Sequence, residues 1–270
     1  MFSLNPRLGL LHWLGPPIIA MTMIRLVNIR KSFGSQHVLT AVNLEIPDQA
    51  IYVIVGGSGV GKSCLLKHLI GLMHPDNGQV WVDDVEITAL RRRALNRVRN
   101  RFGMLFQGGA LFDSMSVYDN VAFPLREKTD KNESEIREKV HERLAQVGLA
   151  GVDNKFPSEL SGGMRKRAAL ARALISDPEI LLFDEPTTGL DPIRVNAIHQ
   201  LILDLHKLLR FTAVIVSHEI PEVFSLATHI AMLHQGVIIE SGSPADIQAS
   251  NNPVVQQFIS GRIEGPIDVQ

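Results

Sequence analysis

The run Val53-Ile54-Val55-Gly56-Gly57-Ser58-Gly59-Val60-Gly61-Lys62-Ser63 constrains this chain more than any other stretch. An apolar segment of β type enters a glycine-rich turn, and Gly56, Gly61, Lys62 and Ser63 fit the pattern G-x-x-x-x-G-K-[ST]. Glycines let the backbone bend tightly enough to aim successive N–H groups at phosphate oxygens. Lys62 can then reach the β- and γ-phosphates and the Ser63 hydroxyl can bind Mg²⁺. The following helix, expected over residues 61–72, turns the positive end of its dipole toward the same anion. At average residue frequencies, four specified positions arise by chance in roughly one chain in a hundred of this length. The pattern predicts a nucleoside triphosphate site, with Gly56, Gly57, Ser58, Gly59, Val60, Gly61, Lys62, Ser63 and Cys64 as its binding stretch. The Cys64 side chain itself reads as a small packing residue on the helix.

A second feature gives the first its chemistry. Ile180-Leu181-Leu182-Phe183 is an apolar strand that ends in Asp184-Glu185. A buried parallel strand delivers its C-terminal residues to the crevice where ligands sit. Asp184 is suited to the Mg²⁺ shell and Glu185 to polarising an attacking water. Further along, Leu160-Ser161-Gly162-Gly163-Met164 opens a helix. Ser161 is an N-cap candidate, and the two glycines bare backbone N–H groups for close approach to an anion. An ordinary capped helix would be the default there in isolation, as an acidic turn would be at Asp184.

The rest of the chain is consistent with an α/β fold. With 270 residues, 45% hydrophobic, it can bury one large core or two small ones. Its formal net charge of −1 gives no reason to expect nucleic acid as partner, and a single cysteine excludes an internal disulfide framework. No apolar run is long enough to cross a bilayer. Residues 8–20 come closest, but Pro16 and Pro17 break them and no small-x-small cleavage site follows, so residues 1–22 are expected to be a disordered extension, or residues 1–20 to lie upstream of the start the cell uses, Met21 and Met23 standing just before the first strand. Any membrane link is expected to run through a partner.

Strands are expected at 24–30 and 38–46, antiparallel across Gly34-Ser35, and at 51–55. Asn77-Gly78 reads as a turn before a strand at 79–82, and a short strand follows at 102–106. From about 108 to 178 the periodicity is helical: 117–125, stopped near Pro124; an amphipathic helix over 133–147 closed by Gly148; and a helix from Ser161 to before Pro178. Strands at 180–183 and 213–216 flank a long helix over 192–209, which implies a parallel sheet covered by helices. Residues 230–233 and 237–239 form a terminal hairpin. Six arginines between 91 and 101 suit phosphate backbones or anionic lipid heads. They lack interleaved aromatics, however, and helical spacing scatters them around the axis, so the segment reads as a solvated surface helix. The apolar cluster Val254-Val255…Phe258-Ile259 is expected either to dock on a neighbouring chain or to fold back on its own domain.

In order, Gly56–Ser63, Gln107, Leu160–Met164, Asp184-Glu185, Gly189-Leu190-Asp191 and His218 resemble the six motifs of ABC-type ATPases, over about residues 23–242. The resemblance implies a P-loop nucleotide-binding domain with a RecA-like mixed sheet, an antiparallel β edge and a helical subdomain at about 108–178. It places an ABC domain over 23–245 and a tail over 246–270. It implies a head-to-tail homodimer, with each ATP between the phosphate loop of one copy and the Ser161, Gly162, Gly163 helix start of the other. Lys62 and Ser63 would grip phosphate and Mg²⁺, with Asp184 supporting the ion. Gln107 would join the metal to the helical subdomain, Glu185 would be the general base and His218 the γ-phosphate contact. Phe33 matches the aromatic that stacks on adenine, the alternative being a core residue at a strand end. The sequence departs from the family at Met164, where glutamine is usual.

The stretch Leu105-Phe106-Gln107 through Glu127, with the signature, is similar to the ATPase of MCE-associated, Mla-type phospholipid transport systems of Gram-negative bacteria. That resemblance implies membrane permease subunits received in a groove after Gln107, a periplasmic MCE lipid-binding protein and a small STAS-domain subunit, with the ATPase peripheral on the cytoplasmic face of the inner membrane. Other ABC importers and exporters share all six motifs. A soluble ABC protein acting on DNA or ribosomes would carry two nucleotide domains or a coiled-coil insertion, and a nucleotide kinase would lack the signature helix.

Overall fold

The computed structural model describes residues 22–268, so what was expected of residues 1–21 lies outside the described residues. The Gly34-Ser35 turn folds β1 (Thr22–Phe33) back on β2 (Gln36–Pro47) in an antiparallel pair. β3 (Ile51–Val55) then leads into the glycine-rich loop and α1 (Lys62–Leu69). The helix is shorter than the 61–72 expected, because Gly71 takes a positive φ and its N–H closes on the His68 carbonyl. β4 (Asn77–Val82) and β5 (Val85–Glu86) follow. Asn77-Gly78, read as a turn, is instead the start of β4, pairing with β1 at Arg30. The turn comes earlier, where the Asp76 carboxylate accepts from Ser32 N–H and Lys31.

α2 (Arg92–Arg99) precedes β6 (Phe102–Leu105). Three helices then intervene: α3 (Val117–Lys128), α4 (Glu133–Gln146) and α5 (Gly162–Leu174). Pro124 does not stop α3, which runs on to Lys128. Proline removes one helical hydrogen bond, but Val121, Ala122 and Leu125 are fully buried against α5 and α4, and tertiary burial overrides that local cost. β7 (Ile180–Asp184), α6 (Pro192–Leu209), β8 (Thr212–Ser217), α7 (Val223–Leu226), β9 (His229–His234) and β10 (Val237–Gly242) follow, then α8 (Pro244–Gln248) and α9 (Pro253–Ser260).

Among the described residues the strands form two sheets. The antiparallel one has the order β2-β1-β4-β5. The larger has the order β10-β9-β3-β8-β7-β6, parallel throughout except for the β9-β10 hairpin at its edge. Its central strands are buried on both faces. In β3, Ile51, Val53 and Val55 join the core beneath α3–α6, whereas Tyr52 and Ile54 join a second core with α1 and the antiparallel sheet. In β7, Leu181 and Phe183 face the first core, and Ile180 and Leu182 the second. Period-two alternation therefore feeds two cores rather than one core and solvent.

Register sets the site. Val55 pairs with Ser217, Asp184 with Val216, and Leu105 with Phe183, so the C-terminal ends of β3, β8, β7 and β6 lie in one row. Of the two outcomes open for the tail, the structure shows the fold-back: Val255 is fully buried in the first core, and Val254, Phe258 and Ile259 pack against it. Phe183 is fully buried beneath this row. Phe183→Ala is expected to lower unfolding free energy by about 3–5 kcal/mol, read from the urea midpoint. A shift below about 1 kcal/mol would show that the strand ends do not depend on this packing.

Candidate functional site

Each strand end in that row hands a different side chain to one crevice. β3 runs into the phosphate loop, where a Cβ on Gly56 would lie 2.4 Å from the Leu233 carbonyl oxygen of β9, so only glycine fits. Gly61, at φ +105°, turns the chain into α1. No side chain caps α1, and its first-turn N–H groups, those of Lys62, Ser63 and Cys64, precede the first intrahelical bond, from Leu65 to Gly61. Such an uncapped start is a ready anion cradle. The Lys62 ammonium, 5% exposed, donates to the carbonyls of Gly56 and Gly57 at 2.9 Å each. Burial lowers its pKa, and Glu185 and Asp184 offset part of that.

Ser63 Oγ donates to Asp184 Oδ1 at 2.7 Å, joining the first helical turn to the end of β7. One residue on, Glu185 takes a left-handed φ of +48°. This conformation costs a non-glycine residue about 1–2 kcal/mol, and a backbone bond from its N–H to Val216 O holds it. Its carboxylate is the hub of the crevice. His218 Nδ1 lies 3.2 Å from Oε1, and Lys62 Nζ 3.7 Å from the same oxygen. Gln107 Nε2 and Thr188 Oγ1 donate to Oε2 at 3.2 and 3.1 Å. Burial pushes the Glu185 pKa up, but His218, Thr188 and Lys62 outweigh it and leave the carboxyl below its usual range.

The expected residues Lys62, Ser63, Gln107, Asp184, Glu185 and His218 thus meet in one place. Phe33, Ser161, Gly162 and Gly163 do not join them in this chain, and Cys64 joins only through its backbone N–H at the start of α1. Phe33 stands half exposed at the end of β1 with the Lys31 ammonium 5.7 Å from its ring centre. The Cys64 thiol packs 3.7 Å from the Met73 sulfur, as a packing residue should. Ser161 caps α5 by accepting from Met164 N–H, and among the described residues Ser161, Gly162 and Gly163 share no hydrogen bond with the phosphate loop. Met164 packs against the first core.

Sequence reading missed the residues that hold the loop after Gln107. Lys166 on α5 donates to the Gln107 carbonyl, and Arg172 on the same helix donates to the carbonyls of Gly109 and Ala110 at 2.9 and 2.8 Å. Asn120 is fully buried. Its side chain accepts from Phe112 N–H and donates to the carbonyls of Phe112, Met115 and Ser116. An asparagine in Tyr118-Asp119-Asn120 carries no signal of this, because its partners become neighbours only once the loop has turned. Beside the loop lies an open cleft of about 560 Å³, with Phe106, Phe112 and Phe123 in its wall and Arg99, Lys128 and Arg172 around it.

The family model described as ABC transporter matches residues 39–188, from β2 to just past Glu185. The chain belongs to the ABC transporter family. It is an ABC ATPase, a fold that binds ATP and ADP. The dimeric post-hydrolysis structure of the ATP-binding cassette MJ0796, bound to ADP and Pi, superposes with a TM-score of 0.75 at 31% identity, covering 82% of this chain and 99% of that one. The probable ribonucleotide transport ATP-binding protein mkl of Mycobacterium tuberculosis H37Rv is 48% identical over 90% of this chain and 68% of its own. The intermembrane phospholipid transport system ATP-binding protein MlaF of Escherichia coli K12 is 43% identical over 87% of each chain. No helix among the described residues is long and apolar enough to cross a membrane.

Asn120→Ala in this ABC ATPase removes the partner of several loop groups at once. It is expected to cost about 1–3 kcal/mol of stability, read by urea denaturation, with nucleotide binding retained. An unchanged midpoint would show that the loop holds itself.

Proposed function

We propose that this ABC ATPase powers phospholipid transport between the membranes of a Gram-negative envelope. The observation that carries this reading is the 43% identity to MlaF, extending over 87% of both chains. The mycobacterial relatives are more similar in sequence and their name speaks of ribonucleotide transport, which makes a nucleotide cargo the competing reading. This chain spans 68% of the length of the Mycobacterium tuberculosis relative and 87% of that of MlaF.

The engine is proposed as follows. The N–H groups of the phosphate loop and the Lys62 ammonium bind the β- and γ-phosphates. Mg²⁺ would be held by Ser63 Oγ, Asp184 and the Gln107 amide oxygen. These hard oxygen donors suit that ion, and two of them already meet, Ser63 Oγ lying 2.7 Å from Asp184 Oδ1. When bound, the ion draws charge from the transferred phosphoryl oxygens. Glu185 accepts a proton as water oxygen attacks the γ-phosphorus and the bond to the bridging oxygen breaks, releasing ADP and phosphate. His218 orients Glu185 and meets the γ-phosphate, and Phe33 stacks on adenine.

A second copy is proposed to complete each site, its Ser161 and Gly163 donating to the γ-phosphate across a head-to-tail dimer. Ile193, 82% exposed just past Asp191 at the start of α6, supports an apolar contact on that side. The aromatic cleft after Gln107 suits a permease helix. The remaining proposed partners are a periplasmic MCE protein and a small STAS-domain subunit, which places the ATPase peripherally on the cytoplasmic face of the inner membrane.

Two experiments test these readings. Glu185→Gln is expected to keep ATP binding while slowing hydrolysis about 100- to 10,000-fold, and Lys62→Ala to lose both; near-normal turnover in Glu185→Gln would sink the base assignment. For the cargo, the native complex purified from membranes is expected to contain an MCE protein and bound phospholipid. Recovery of a nucleotide-binding partner instead would favour the competing reading.

A further inference from the structure

From Ile87 to Phe112 the chain contains six arginines and neither aspartate nor glutamate. Two of the six are committed inside the fold. Arg99 donates to the carbonyls of Ile70 and Gly71, and Arg101 forks onto Asp83 and Glu179. The guanidinium groups of Arg91, Arg92, Arg93 and Arg97 are exposed and make no hydrogen bond or ion pair among the described residues.

The structure corrects the expectation that these charges scatter around the axis. Leu95 is buried and Val98 packs with it against the second core, which fixes the rotation of α2. At 100° per residue, Arg92, Asn96, Arg93 and Arg97 then share an outward arc about 140° wide, all four of them exposed. No acidic residue interrupts it. Arg99, at the other end of the same helix, lines the aromatic cleft together with Lys128 and Arg172.

We infer that the α2 face carrying Arg92, Arg93 and Arg97 rests on anionic lipid headgroups of the bilayer beside the permease. The inference goes beyond the transport reading but rests on its assignment of the cleft to the permease side of the molecule. Charge complementarity names the occupant. The whole chain carries a net charge of −1, so attraction to an anionic surface has to be local. The arc has no aromatic on which a nucleic acid base could stack. Nor does any neighbour hold its guanidinium groups in a fixed geometry, so they suit a layer of mobile phosphates better than one fixed anion. Such a contact would orient the ATPase on the membrane without touching its nucleotide site.

The test uses the purified full chain, floated with vesicles of phosphatidylcholine alone and of phosphatidylcholine mixed with phosphatidylglycerol, at low and high salt. The chain is expected to bind only the mixed vesicles, less at high salt. A basic residue near an anionic surface is worth about fivefold in binding, so the triple variant Arg92→Gln, Arg93→Gln, Arg97→Gln should bind about a hundredfold more weakly. Its ATP hydrolysis should be unchanged, which shows that it folds. Absence of binding, indifference to phosphatidylglycerol, or equal binding by the variant would overturn the inference. So would duplex DNA that competes better than the vesicles and depends on the same arginines. The assay contains no permease, so its failure leaves the cleft assignment standing; that assignment fails separately if Phe112→Ala leaves permease association intact.

Discussion

The hydrogen bond from Ser63 to Asp184 spans two strands that are not neighbours. β8 lies between β3 and β7, and the bond closes over its end at 2.7 Å. It can form only if all three strands keep their register, since a slip of one residue would turn every side chain to the opposite face. That register is fixed by burial on both faces, with alternate residues of β3 and β7 committed to two separate cores. The nucleotide crevice is therefore a consequence of core packing. Glu185 inherits its place from the same constraint, because the residue after Asp184 has nowhere to go but over β8, where Val216 O receives its N–H.

From this row of strand ends the structure reaches outward through one residue. The Gln107 side chain is bonded to Glu185, and its carbonyl is bonded to Lys166 on α5. Arg172, two turns further along the same helix, grips the next carbonyls and sits with its guanidinium carbon 5.8 Å from the centre of the Phe112 ring. The hydrolytic hub, the helix begun by Ser161 and the aromatic cleft are thus joined by a short run of direct contacts.

Much of this is legible in the sequence because the features are local. The phosphate loop, the acidic end of β7 and the periods of α4, α5 and α6 are written in consecutive residues. What is not legible depends on contacts distant in the chain. Pairing of β1 with β4 rather than with β2 alone leaves no local trace. Pro124 reads as a stop because its cost is local, whereas the burial of Val121, Ala122 and Leu125 that outweighs it is tertiary. The arginines of 91–101 read as scattered because the buried face of α2 is unknown until Leu95 finds its core. Asn120, Lys166 and Arg172 are ordinary surface-type residues on paper, and only the folded loop supplies their partners.

In the proposed dimer the crevice is half of a site, and the exposed Ser161 and its neighbour Gly163 serve a second copy. The most direct test is the mass in solution of the Glu185→Gln variant with ATP and Mg²⁺, where slow hydrolysis lets the complex accumulate. Twice the monomer mass with ATP, and the monomer mass without ATP or when Ser161→Asp is added, is the predicted result. A monomer that binds ATP fully and stays monomeric would contradict it.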